Sequence, residues 1–348
     1  MKALTFQGRE QIAYEDVEDP KILAPTDVIV EVSACAICGS DLHPYYEREK
    51  GLDHGCVMGH EFTGTVVEIG EDIRYMGKGS KVISAFTASC GECYYCKRGL
   101  SARCIHSQLF GWRANGQGLH GGQAQYVRVP MANHTLYRKP EGMKDELAIL
   151  LGDVLSTGFF ACAQGQVLPG DNVVVLGCGP VGMSAIWGAG LKLAGKIYAV
   201  DRVPARLKLA KEWGAIPINY ETENVAEVIK EGTDGRGADV VIEAVGSGAA
   251  TRSAFELIRP GGAISAVGVN TDTKMAFNPV EAYDKNASYH IGRCSARSFM
   301  KELLEVAMRD QDQLIQIFSH QMSLADGVEG YRIFANKLED CTKVLLRP

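Results

Sequence analysis

Four cysteines crowd one short stretch, Cys90-Gly-Glu-Cys93-Tyr-Tyr-Cys96 followed by Cys104, a spacing of C-x2-C-x2-C-x7-C. Two-residue gaps let thiolates converge on one ion, and four thiolates close a tetrahedral shell, as in structural Zn²⁺ sites that hold a loop rather than perform chemistry. An iron–sulfur cluster is the competing reading, because similar gaps occur in ferredoxins. Unpaired core cysteines are a poor account of residues flanked by Gly, Glu, Lys and Arg. A second set is scattered: Cys38-Gly39-Ser40-Asp41-Leu42-His43, Gly59-His60-Glu61 and Leu151-Gly152-Asp153. Each fragment alone reads as a packed core or a solvated loop. Together they offer a thiolate, an imidazole and carboxylates, which suit an open catalytic zinc site.

A third pattern binds phosphate. Val173-Val174-Val175-Leu176 runs into Gly177-Cys178-Gly179-Pro180-Val181-Gly182, a G-x-G-x-x-G directly after a strand and at the start of a helical pattern. The first glycine permits the tight turn, the second lets backbone approach a pyrophosphate, and the third permits close helix–strand packing. The helix N-terminus favours the anionic phosphates. The next strand, Ile197-Tyr198-Ala199-Val200, ends in Asp201. An acid there hydrogen-bonds the adenosine ribose and repels a 2′-phosphate, which predicts NAD(H) over NADP(H). The adjacent Arg202 softens that preference.

On these residues the chain resembles, over its whole length, the zinc-containing medium-chain dehydrogenase/reductase family, the alcohol dehydrogenase group. Gly59-His60-Glu61-x2-Gly64-x5-Gly70 matches that family's zinc signature, and Cys38, the four-cysteine loop and the glycine loop follow in its order. The resemblance implies an α/β chain, with a GroES-like β-rich domain carrying two zinc ions and a Rossmann domain binding NAD(H). It implies that Cys38, His60 and Asp153 ligate the catalytic zinc, and Cys90, Cys93, Cys96 and Cys104 the structural one. Glu61 matches an acid that approaches the metal during ligand exchange, and Asp41 one that orients the ligand His60. Ser40 and His43 match a relay that passes the substrate proton to solvent. A basic residue that some members carry after the ligand cysteine is Gly39 here. Thr157 is expected near the nicotinamide, and Val245-Gly246 and Val267-Gly268-Val269 along the cofactor crevice, ending later Rossmann strands. Phe86, Trp112 and Cys294 are expected pocket walls, suited to medium-sized secondary alcohols and ketones. Fragments around Cys38 and Asp153 also resemble the glutathione-independent formaldehyde dehydrogenase branch, so an aldehyde dehydrogenase or dismutase is the alternative. That branch carries a long insertion over the cofactor, and this chain is too short to hold it. Polyol dehydrogenases are a further relative, but they usually alter the cysteine loop.

These residues need a scaffold. Residues 1 to about 150 read as mostly β, with short apolar runs such as 28–32 and 65–69 bounded by Gly, Pro and Asp. From there, apolar strands (172–176, 196–201, 238–245, 262–269) alternate with helical patterns (181–194, 203–213, 224–231, 249–258). That alternation predicts a doubly wound parallel sheet. The tail has a helix over 299–309 and a strand over 342–346. The expected division is 1–154, 155–292, and a segment 293–348 returning to the first domain.

Bulk properties narrow the classes. With 348 residues, two domains are expected. The net charge of −6 argues against a polyanion-binding surface, and so against a zinc-ribbon module docking nucleic acid through Lys97, Arg98 and Arg103. The uncharged stretch 173–191 raises the question of a membrane span, which its five glycines and proline answer as a nucleotide loop. An odd count of eleven cysteines and a start with no apolar leader argue against a disulfide framework and for the cytoplasm. A small-molecule alcohol, ketone or aldehyde is the expected partner, and a homo-oligomer, tetramer before dimer, the expected assembly. A relative that binds NAD without turnover would have lost the catalytic ligands, and this chain keeps them.

Overall fold

The computed structural model describes all residues, Met1–Pro348, and the chain divides into two compact units. The first joins Met1–Ser156 to Ser295–Pro348; the second is Thr157–Cys294. The boundaries fall after Ser156 and Cys294, not after 154 and 292. Ser156 stays with the first unit because its hydroxyl donates to the Leu151 carbonyl at 2.6 Å, tying it to the preceding helix.

The first unit is built on a mixed seven-stranded sheet ordered Leu136–Arg138, Lys81–Ser84, Glu61–Ile69, Val28–Ile37, Val344–Arg347, His320–Ser323, with Tyr126–Val129 also pairing on Val28–Ile37. The central strand Val28–Ile37 changes phase partway. Val28, Val30 and Val32 enter the main core, and beyond them Cys35 and Ile37 do. A register shift between Val32 and Ala34 inserts the extra residue. Such a bulge re-aims every side chain that follows. Ala34 and Ala36 therefore face Ile149 of the helix Asp145–Gly152. Cys38 continues their phase, toward the helix that ends at Asp153.

The second unit carries a six-stranded, all-parallel sheet ordered Ile216–Asn219, Lys196–Asp201, Asn172–Leu176, Ala238–Glu243, Ile258–Ala266, Ser288–Ile291. In chain order this is 3-2-1-4-5-6, with the order reversing beside Asn172–Leu176, where nucleotides bind in such sheets. Its core gathers Val174, Leu176, Tyr198, Val200, Val241 and Ile264 from the inner strands. The two edge strands have no counterpart in the sequence reading. Ile216–Asn219 contains Pro217, and Ser288–Ile291 is short and polar, so neither shows the apolar run of a doubly covered strand.

The helices Asp145–Gly152 and Val154–Gln164 depart from the mostly β texture expected near residue 150. No single helix is long and apolar enough to cross a membrane; this pair, bent by 41° at Asp153, meets that test only by composition. Leu147 to Leu151 are fully buried in the first unit.

Candidate metal centres and cofactor crevice

The bend at Asp153 builds the main site. Gly152 lies so close to the Ser84 carbonyl that a Cβ would sit 2.3 Å from it. This approach presses the helix end onto the sheet and presents Asp153 to Cys38 and His60. Cys38 Sγ lies 3.6 Å from Asp153 Oδ2, which lies 3.2 Å from His60 Nε2. All three residues are buried, and their ligand atoms lie within 4.8 Å of one another.

Gly59 aims His60. Its φ of +86° is left-handed, and a Cβ there would stand 2.4 Å from Gln123 Cγ. Gly59→Ala is therefore expected to destabilise the fold by at least about 2 kcal/mol, from backbone strain and overpacking together. A thermal midpoint unchanged by this substitution would contradict the account. Gly64 of the same signature meets the Glu31 carbonyl, 2.0 Å from a notional Cβ, across the strand pair.

The tautomer of His60 follows from its partners. Nδ1 faces Asp41 Oδ1 at 3.1 Å, and a carboxylate only accepts, so Nδ1 carries a proton, and Nε2, beside Asp153, is the nitrogen a metal would take in place of a proton. Asp41 also accepts from the Cys38 backbone N–H at 2.9 Å, holding two of the three ligands with one carboxylate.

The electrostatics call for a cation. Burial pushes the Cys38 thiol up, and the nearby Glu61 and Asp153 carboxylates push further. Burial opposes a charged His60, yet Asp41, Cys38 and Asp153 outweigh it and raise His60 well above the usual imidazole range. A thiol, an imidazole and a carboxylate that all gain from positive charge between them fit zinc with one position left open.

Beneath them Glu61 pairs with Lys343. Both side chains are wholly buried; Lys343 Nζ donates to Glu61 at 2.6 and 2.9 Å and reaches the Ile37 carbonyl at 3.4 Å. Sequence reasoning missed Lys343. Its only signal is a lysine directly before the apolar run Val344-Leu345-Leu346, which carries it into the sheet beside Ile37.

Ser40 Oγ lies 3.1 Å from His60 Nε2 and 3.3 Å from Cys38 Sγ. His43 is half-buried, and its Nδ1 is enclosed without a partner. Burial and the Arg48 charge hold His43 below the usual imidazole range. Of the three expected walls, Phe86 stands edge-on to His60, ring centres 6.3 Å apart. Trp112 packs against the main core from the hairpin Trp112–Ala114 and Gln117–Leu119, and Cys294 is buried at the end of the second unit.

The four-cysteine loop forms a second centre. All four sulfurs lie within 4.8 Å of one another, and Cys90 and Cys104, at 3.5 Å, are too far apart for a disulfide. Backbone N–H groups of Cys90, Glu92, Cys93 and His106 point at Cys90 and Cys104 sulfurs from 3.3 to 3.5 Å. Backbone donors, first from Cys96, bring the Cys93 thiol down to about 6. A thiol so lowered is ready to bind as thiolate.

In the second unit, Gly177 has φ +87°, and a Cβ on Gly182 would lie 1.8 Å from the Gly177 carbonyl. Gly179 precedes Pro180, the first residue of the helix Pro180–Leu191, and nothing but the Arg206 guanidinium lies near its missing Cβ. Asp201 is buried, accepting from Cys178 N–H at 2.8 Å and from Arg202 and Val203 N–H. Arg206, a residue the motif does not mark, lies 3.9 Å from Asp201. Arg202 turns instead to Glu221.

Val245-Gly246 and Val267-Gly268-Val269 lie beyond their strands, which end at Glu243 and Ala266, and this corrects the expected strand ends. The buried Glu243 carboxylate accepts from the Val245 and Gly246 N–H groups at 2.7 and 2.8 Å, turning the chain off the ladder. Gly246 and Gly268 pack backbone to backbone, and Val245 reaches Gly177, so these loops and the glycine loop form one crevice rim. Thr157 is buried on the helix Val154–Gln164.

Residues 24–141 match the model of the alcohol dehydrogenase GroES-like domain, and residues 180–307 that of the zinc-binding dehydrogenases. The chain belongs to the zinc-dependent medium-chain dehydrogenase/reductase family. This dehydrogenase is 43% identical to the zinc-type alcohol dehydrogenase B of Aspergillus flavus, over 96% of its length and 78% of the relative's. It is 37% identical to the uncharacterized zinc-type alcohol dehydrogenase-like protein AdhB of Bacillus subtilis, covering 100% of both. Among solved structures, alcohol dehydrogenase TADH from Thermus sp. ATN1 superposes with a TM-score of 0.93 at 38% identity, over 100% of this chain and 99% of that one. The relatives make this dehydrogenase an alcohol dehydrogenase of the zinc type, and its fold pairs a GroES-like with a Rossmann-type domain.

Proposed function

We propose that this enzyme oxidises a secondary or medium-sized alcohol to a ketone or aldehyde with NAD⁺, and runs the reverse carbonyl reduction. The observation that carries it is the convergence of Cys38, His60 and Asp153, three ligand atoms from separate segments, with Ser40 beside them. When bound, zinc supplies Lewis acidity toward a substrate oxygen, and the nicotinamide supplies the hydride chemistry. The protein's own part is positional. Cys38, His60 and Asp153 would hold the catalytic ion, and Cys90, Cys93, Cys96 and Cys104 a structural one. Asp41 fixes the His60 ring, and Phe86 packs edge-on against it. Ser40 Oγ both donates and accepts, so it holds the alcohol proton, and His43, with its free Nδ1, takes it toward solvent. Glu61, held below by Lys343, would offer a further carboxylate toward the ion.

NAD(H) is favoured over NADP(H) by the buried carboxylate of Asp201 at the ribose end of the crevice, lined also by Gly177, Gly179, Pro180, Val181, Gly182 and Arg206. Asp201→Ser is expected to lower kcat/KM with NAD⁺ and raise it with NADP⁺, changing the ratio by at least about tenfold, or ~1.4 kcal/mol. An unchanged ratio would remove Asp201 as the discriminator. Absorbance at the NADH band, across primary, secondary and cyclic alcohols with both cofactors, tests the main reading. No turnover of any alcohol, with formaldehyde dismuted in the absence of added cofactor, would replace it with the aldehyde branch. Eleven free cysteines support a reducing compartment such as the cytoplasm. A homotetramer is the expected assembly, measured by light scattering after size exclusion.

A further inference from the structure

Behind the ligand His60 lies a buried polar line that no catalytic role accounts for. Tyr331 O–H donates to Gln123 Oε1 at 2.9 Å, and Gln123 Nε2 donates to the Ala36 carbonyl at 3.1 Å and to Asp41 Oδ2 at 3.3 Å. Asp41 Oδ2 also accepts from Cys38 N–H, while Asp41 Oδ1 faces His60 Nδ1. Gln123 is fully enclosed, and Tyr331, Asp41 and His60 are all buried.

The amide has one workable orientation. Both neighbours of Nε2 accept and cannot donate, so turning the amide over would set Oε1 against a carbonyl and a carboxylate. Tyr331 is held in turn, its ring stacked on Tyr45 with centres 5.7 Å apart and planes 30° apart. Asp41 therefore has no freedom to swing: Gln123 and the Cys38 backbone fix one oxygen, leaving the other for His60. In water such an amide would exchange partners readily, but here burial removes every alternative acceptor and donor.

We propose that Gln123 and Tyr331 are positioning residues that act through Asp41 to hold His60 and Cys38 in metal-binding geometry, and so set how fast the catalytic ion leaves. The proposal rests on Cys38, His60 and Asp153 being the catalytic ligands. Outer hydrogen-bond partners of a ligating histidine orient the ring and raise its basicity, and their loss weakens metal binding about 10- to 100-fold. Gln123 and Tyr331 stand one and two bonds further out, so smaller effects follow.

The test uses the zinc-loaded, full-length enzyme and its variants Gln123→Met and Tyr331→Phe. Zinc release is followed during challenge with excess chelator, and the phase missing from Cys38→Ala identifies the catalytic ion. Release of that ion is expected to quicken about 5-fold in Gln123→Met and about 2-fold in Tyr331→Phe, with the other ion unchanged. After cobalt exchange, the visible d–d band of both variants should shift, a signature that a merely structural role would not move. Wild-type release and spectrum in both variants would overturn the proposal, even with a lower melting temperature. Tyr331→Phe removes one oxygen only and remains informative if Gln123→Met does not fold. If Cys38→Ala loses no metal, the ligand assignment fails and the proposal falls with it. If Cys38→Ala loses one ion while both other variants behave as wild type, the proposal alone fails.

Discussion

Cys38→Ala is expected to lose one of two bound zinc ions and essentially all turnover, while the protein stays folded. The sulfur is one of three ligand atoms that lie within 4.8 Å of one another, with Asp153 Oδ2 3.6 Å from it and 3.2 Å from His60 Nε2. Without the thiolate, two protein ligands remain, too few for the usual three-ligand catalytic shell. Lewis-acid stabilisation worth several kcal/mol disappears, so a fall of about a thousandfold or more in kcat is expected. The fold survives because Cys38 follows its strand, and the core side of that strand is filled by Val28, Val30, Val32, Cys35 and Ile37. Elemental analysis and NAD-linked assays decide the matter. Two ions retained, or activity within tenfold of wild type, would defeat the catalytic assignment.

Lys343→Met is expected to cost about 3–5 kcal/mol of stability, because it strands Glu61 in a fully buried setting. Burial pushes the Glu61 carboxyl up and Lys343 opposes it; with the lysine gone nothing local replaces its two bonds. The double variant Glu61→Leu with Lys343→Met should regain most of the loss. Replacing both members of a buried pair by apolar groups is often neutral, whereas breaking the pair is not. Guanidinium unfolding of the two single variants and the double variant measures the coupling. If Lys343→Met shifts stability by less than about 1 kcal/mol, the pair holds no structural role of this size.

The relation between these predictions and the sequence differs. Cys38 is visible in the chain as part of Cys38-Gly-Ser-Asp-Leu-His43, which only the family resemblance linked to His60 and Asp153, and the structure sets its sulfur 3.6 Å from Asp153 Oδ2. Lys343 is invisible. It sits more than 280 residues beyond Glu61, and only the parallel and antiparallel pairings of Val344–Arg347 bring it beneath the ligands. Gln123 is equally silent, since a glutamine after two glycines reads as loop.

What the sequence alone determined were features whose cause is local. The spacing of Cys90, Cys93, Cys96 and Cys104, the turn at Gly177 and the Asp201 that ends the next strand all depend on backbone geometry over a few residues, so they survive being read in one dimension. The inner parallel strands were legible for the same reason, since burial on both faces writes a continuous apolar run. Only the tertiary structure decided the rest. The bulge after Val32 turns Cys38 toward Asp153, and Gln123 and Lys343 come in beside Asp41 and Glu61. Each is a contact between distant segments, and a buried hydrogen bond is specified by where two chains meet, which no local pattern records.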